Sequence, residues 1–143
     1  MTSNSAIKTY LALDIGTQRI GVAIAQSTSR LPKPLTVIHN DDAFIDQLNH
    51  LIQIYNASEL IIGIPHGLEG QSTEQTRYTK EFVSTLKKNI NLPIYNQDEA
   101  VTSVQAEKEL IARGKPYSKG DIDSLAATYI LDDFLQQSRI EST

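Results

Sequence analysis

Apolar residues follow two rhythms along this chain: short runs or alternation in five places, and three-and-four spacing in four others. Residues 8–14 and 19–25 predict two strands, and only a short turn around Gly16 and Thr17 separates them, so they should pair antiparallel as a hairpin. Arg30 to Pro34 predicts a loop, because each proline restricts itself and its predecessor, and a third strand follows at 35–38. Residues 42–56 predict a helix with Phe44, Ile45, Leu48, Leu51, Ile52 and Tyr55 on one stripe, capped by Asn40 or Asp41. Residues 59–64 are apolar on both faces, the pattern of a strand covered on both sides. A second helix is expected at 72–89, capped by Ser72, and a fifth strand at 92–96. Helices at 103–113, stopped by Gly114, and at 121–137 complete the chain.

This order predicts an α/β fold with a five-stranded mixed sheet, three antiparallel strands followed by two parallel ones, flanked by helices. The strand–helix–strand passage through 59–64 requires a parallel crossover. That is the ribonuclease H-like architecture, with the first strand central and the fourth beside it. At 143 residues the chain is long enough for one well-buried core, so residues 1–143 are expected to form one domain with flexible ends at 1–7 and 138–143.

Composition narrows the setting. There is no cysteine, hence no disulfide and no thiolate metal site. The polar N-terminus lacks the plan of a signal peptide, and the longest apolar runs are too short to cross a bilayer, which points to a cytoplasmic protein with no membrane partner. A net charge of −4 argues mildly against a broad basic face for nucleic acid, although metal ions would neutralise an acidic cluster locally.

Three acids stand where strands end or helices begin: Asp14, Glu99 and Asp123. Carboxylates gathered at the ends of core elements are costly unless something positive sits among them. A pair of Mg²⁺ or Mn²⁺ ions fits best, since lone carboxylates suit these ions better than zinc, and it implies chemistry on phosphodiesters. Each acid also has a plainer reading. Asp14 in Asp14-Ile15-Gly16-Thr17 can bond turn amides, or the loop can cradle a nucleotide phosphate. Asp123 can stabilise a helix N-terminus, and Asp98 and Glu99 can do the same beside Thr102 or Ser103 as a cap. Asp98 and Glu99 point opposite ways in an extended segment, and Glu99 is the better candidate for the site. His66, in the loop after the fourth strand, lies near the expected site, but a solvated loop histidine is the plainer reading.

The acids occur inside longer stretches that resemble the YqgF (RuvX) family, small bacterial proteins sharing a ribonuclease H-like fold with RuvC-type Holliday-junction resolvases. The match runs through Leu13-Asp14-Ile15-Gly16-Thr17-Gln18-Arg19-Ile20-Gly21-Val22-Ala23, then Gly63-Ile64-Pro65 with Gly70 and Gln75. It continues through Asp98-Glu99-Ala100-Val101-Thr102-Ser103 and Asp123-Ser124-Leu125-Ala126-Ala127. Two positions depart: Ala100 stands where the family usually has arginine, and Asp121 adds negative charge. The resemblance implies a metal-dependent nuclease that matures the 5′ end of pre-16S ribosomal RNA. Asp14, Glu99 and Asp123 would be its catalytic, metal-holding residues, with two ions. Arg19, Arg77 and Lys119 are expected phosphate contacts because they flank the motifs. The alternatives are a Holliday-junction DNA resolvase and a catalytically silent RNA- or protein-binding module of the translation machinery. An actin-like ATPase is the weakest reading, because one domain offers half a cleft. A monomer or weak dimer is expected.

Overall fold

Alternation along β1 (Thr9–Ile15) sends Leu11, Leu13 and Ile15 to one side and Tyr10, Ala12 and Asp14 to the other. That split organises the molecule. The computed structural model describes residues 7–100 and 103–141, with side chains to residue 137. β1 pairs antiparallel with β2 (Arg19–Gln26), which pairs antiparallel with β3 (Lys33–His39). On its other edge β1 pairs parallel with β4 (Glu59–Pro65), which pairs parallel with β5 (Ile94–Glu99), giving the order β3-β2-β1-β4-β5. The expected five-stranded mixed sheet is therefore present.

α1 (Phe44–Tyr55) and α2 (Glu74–Asn89) cover the face of large aliphatics, burying Leu11, Leu13, Ile62 and Ile64 with Phe44, Leu48, Val83 and Leu86. The other face is covered by α4 (Lys119–Glu141), which packs Ile130, Leu131 and Leu135 on Tyr10, Ala12, Ala23 and Ala25. α3 (Ser103–Arg113) packs on α4 through Ala106 and Leu110. A Cβ added to Gly21 would lie 2.0 Å from the Asp123 carbonyl oxygen, so only glycine lets α4 come this close.

Several boundaries differ from the sequence expectation. β5 is shifted toward the C-terminus, which makes Glu99 the last residue of a strand rather than a residue beyond one. Its polar stretch hides the strand, because Gln97 and Glu99 are buried on one side while Asn96 and Asp98 are exposed on the other. β3 includes Pro34, tolerated on an edge strand beside a register shift at Val22 and Ala23. α1 has no side-chain cap at Ala43, and Asn40 is engaged elsewhere. α2 is capped by Thr73, not Ser72, in a reciprocal box with Thr76. α4 starts two residues earlier than expected because Ser118 and Asp121 exchange backbone-to-side-chain hydrogen bonds, 2.9 and 3.2 Å, and it runs on to Glu141. The charge of Asp121 is absorbed by this cap. On α3, the apolar Val104 and Ile111 are 54% and 60% exposed. Of the expected flexible ends and the Thr102 cap, residues 1–6, 102 and 142–143 lie outside the described residues.

Candidate active site

The sharp turn after β1 is built before it is occupied. Gly16 N–H donates to the Arg19 carbonyl at 3.0 Å, and a Cβ there would lie 2.5 Å from that oxygen. Two amides then fix the turn from the neighbouring layers. Gln75 at the start of α2 donates to the Ile15 carbonyl, and Asn40 donates to the Gly16 carbonyl, both at 2.8 Å. On the far side, the Thr76 hydroxyl donates to the Pro65 carbonyl and His66 N–H donates to the Glu99 carbonyl at 2.9 Å. These contacts hold the ends of β1, β4 and β5 around one opening.

That opening is a cavity of about 510 Å³, and Asp14, Glu99 and Asp123 all line it, together with Arg19, His66 and Ala100. Asp14 comes from β1, Glu99 from the end of β5 and Asp123 from the first turns of α4. Arg19 donates through Nε to Asp123 at 2.7 Å, so the expected phosphate contact is engaged with one of the acids. Arg77 and Lys119 are exposed and do not line the cavity. Asp98 faces out and holds His66 Nε2 at 3.0 Å, while the His66 ring is largely covered. His66 is therefore a cavity wall rather than a solvated loop side chain.

Electrostatics mark the two buried acids. Burial, then the charge of Asp123, raises the Asp14 carboxyl to about 7. Burial raises Glu99 to about 8, helped by the nearby carboxylate of Asp133. Glu99 is 8% exposed, and its Oε1 is buried with no hydrogen-bond partner. An orphaned carboxylate oxygen beside a second desolvated carboxylate is a fit for a hard cation, whose ligands are oxygens. Among the described residues, no three acidic or histidine groups sit close enough to hold a single ion. Asp133 went unnoticed in the sequence. It is exposed on α4, between the buried Leu131 and Leu135, so nothing in its pattern sets it apart from a solvated helix residue.

A sheet in this order, with its last helix laid across one face, is the ribonuclease H-like fold, and three acids converge at one end of it. The chain belongs to the RuvX family, described as Holliday junction resolvase, which it matches over residues 8–137. Among curated relatives, a protein of Sulfurihydrogenibium sp. is 43% identical over 129 residues, covering 89% of each chain. One of Chloroflexus aurantiacus is 38% identical over 133 residues, covering 90% of this chain and 87% of its own. Both carry the provisional name of pre-16S rRNA nuclease. In fold, the chain is similar to T. thermophilus RuvC, solved in complex with a Holliday junction substrate, at a TM-score of 0.52 and 14% identity. That alignment covers 91% of this chain and 96% of the other. Among the described residues, no helix is long and apolar enough to cross a membrane.

Proposed function

We propose that this chain is a metal-dependent nuclease that cleaves RNA phosphodiesters in maturing the 5′ end of pre-16S ribosomal RNA. The observation that carries the reading is the convergence of Asp14, Glu99 and Asp123 on one cavity, with the buried Oε1 of Glu99 unpaired. The names of the curated relatives support the substrate. Asp14, Glu99 and Asp123 are the residues that would hold Mg²⁺ or Mn²⁺, two ions in all. Such ions activate a water and stabilise charge on the leaving oxygen.

The chain's own residues set the stage for that chemistry. Burial raises Asp14 to about 7 and Glu99 to about 8, so at neutral pH both still carry protons part of the time, and a cation that binds them must displace those protons. Arg19 keeps Asp123 paired in the meantime, and its guanidinium is placed to turn to a substrate phosphate once Asp123 is otherwise engaged. Ala100 widens the cavity mouth where a longer side chain would reach in. We take the acting species to be a cytoplasmic monomer or weak dimer.

A second reading is junction cleavage in DNA, favoured by the description of the family. The test is cleavage of a labelled 16S precursor fragment and a synthetic four-way DNA junction, each with Mg²⁺, Mn²⁺ or EDTA. Metal-dependent RNA cutting that is lost in Asp14→Asn is the expected result. Cutting of the junction alone transfers the assignment to the resolvase. Binding of RNA without cutting either substrate leaves a silent binding module.

A further inference from the structure

An acidic chain that acts on a polyanion has to hold it somewhere. The stretch from the last residue of α3 to the first residues of α4 reads Arg113-Gly114-Lys115-Pro116-Tyr117-Ser118-Lys119-Gly120, three cations and no acid in a chain of net charge −4. Gly114, at φ +72°, turns the chain sharply out of α3. Beside this stretch lies a cavity of about 260 Å³, walled by Arg113, Lys115, Pro116 and Tyr117 and floored by Pro34 and Leu125. Small-molecule pockets start at about 300 Å³, so this one is on the scale of a single base.

Its parts are those of a stacking platform. Tyr117 is 38% exposed, and its hydroxyl donates to Glu107 at 3.0 Å, so the ring is fixed in place rather than free. Asp121 also borders the cavity, but its carboxylate is taken by the Ser118 N–H at 2.9 Å. Arg113 is paired with Glu109, whereas Lys115 and Lys119 are exposed and, among the described residues, form no ion pair. Position completes the case. Asp123 lines the acidic cavity while its neighbours Asp121, Ser124 and Leu125 line this one. Only the first turns of α4 separate the two.

We propose that the α3–α4 junction, Arg113 to Lys119, is a single-strand subsite, in which Tyr117 stacks one base over the small cavity and Lys115 and Lys119 hold flanking phosphates. Aromatic faces combined with a positive groove are the general means of holding single strands, because every base offers a π-face. The proposal deepens the nuclease reading and rests on it for the reason a strand passes here. It also gives Lys119 a place: a contact beyond the acidic cavity rather than inside it.

The test is fluorescence anisotropy of a fluorescein-labelled oligouridine RNA against the wild-type protein in EDTA, across a salt series, with melting curves alongside. Tyr117→Ala should weaken binding about 5-fold or more, while Tyr117→Phe, which keeps the ring, should stay within about 2-fold. Replacing Lys115 and Lys119 together by glutamine should flatten the salt slope by about 1.4, at ~0.7 per phosphate. Unchanged affinity and slope in Tyr117→Ala and the lysine pair overturn the subsite, as does the absence of any RNA binding. If wild type cleaves RNA while these variants bind normally, the subsite falls and the nuclease reading stands. Tyr117-dependent binding by a chain that cleaves nothing keeps the subsite and removes the nuclease.

Discussion

On the face covered by α1 and α2, β1 and β2 contribute Leu11, Leu13, Ile20 and Val22; on the face covered by α4 the same strands contribute Ala12, Ala23 and Gly21. The large side chains bury apolar area, at about 25 cal/mol per Å² removed from water, and supply most of the drive to fold. The small ones give up that area to let a helix lie almost on the strand backbones. That closeness brings Asp123 of α4 to the same cavity as Asp14 of β1 and Glu99 of β5. One face stabilises, and the other spends part of that stability on desolvated carboxylates.

The largest combined effect on stability and cleavage is expected from Gly21→Ala, whose Cβ would meet backbone at 2.0 Å and push α4 off the sheet. About 3 kcal/mol of stability should go with it. Cleavage should fall about 100-fold, the scale of a 1 Å misplacement. Gly63→Ala meets a side chain rather than backbone, Ile130 Cδ1 at 2.3 Å and Cγ1 at 2.8 Å, and should cost less, about 1–2 kcal/mol. Equal losses at the two glycines, read by denaturant melts, would show that α4 is not held by this approach.

Next in size is a pair of opposite sign. Ile62→Ala on the large-residue face should cost about 2–5 kcal/mol while folded protein still cleaves in the cold. Asp14→Asn should abolish cleavage yet leave the protein as stable as wild type, or more so, at pH 8, because a buried charge is removed. A smaller effect is expected from Arg19→Gln, which strips Asp123 of its partner and should slow cleavage about 10-fold, the value of a charged hydrogen bond. A rate equal to wild type would make the ion pair incidental.

Why the acids could be found by sequence and their partners could not is clear from the same two faces. Asp14 and Asp123 interrupt apolar runs, and Glu99 could be separated from Asp98 by strand alternation. The strands were legible as short apolar runs such as Leu11-Ala12-Leu13, and their order followed from the tight turn after the first strand, the parallel crossover and the ribonuclease H-like arrangement these imply. The end of β5 was obscured because Gln97 and Glu99 are polar residues buried under a helix, which periodicity reads as exposed. The pairing of Arg19 with Asp123 joins residues 104 positions apart, and the approach of Asp133 to Glu99 depends on where α4 crosses the sheet. Asn40 looked like a helix cap because its role, donating to the Gly16 carbonyl and to Tyr78, exists only once the layers have met.

The most direct measurement is the melting temperature of wild type and Asp14→Asn from about pH 5 to about pH 9, with and without Mn²⁺. In the unfolded chain these carboxyls ionise near 4, whereas the folded protein keeps their protons until about 7 for Asp14 and about 8 for Glu99. Without metal, wild type should therefore lose stability as pH rises from about 5 through about 8 and level off above. Mn²⁺ should restore several degrees at the alkaline end and little at the acid end, since the ion must displace the protons. Asp14→Asn should show a shallower fall and a much smaller gain from Mn²⁺. A flat profile, or an equal Mn²⁺ gain in the variant, would contradict a cation site built from the buried acids of the α4 face.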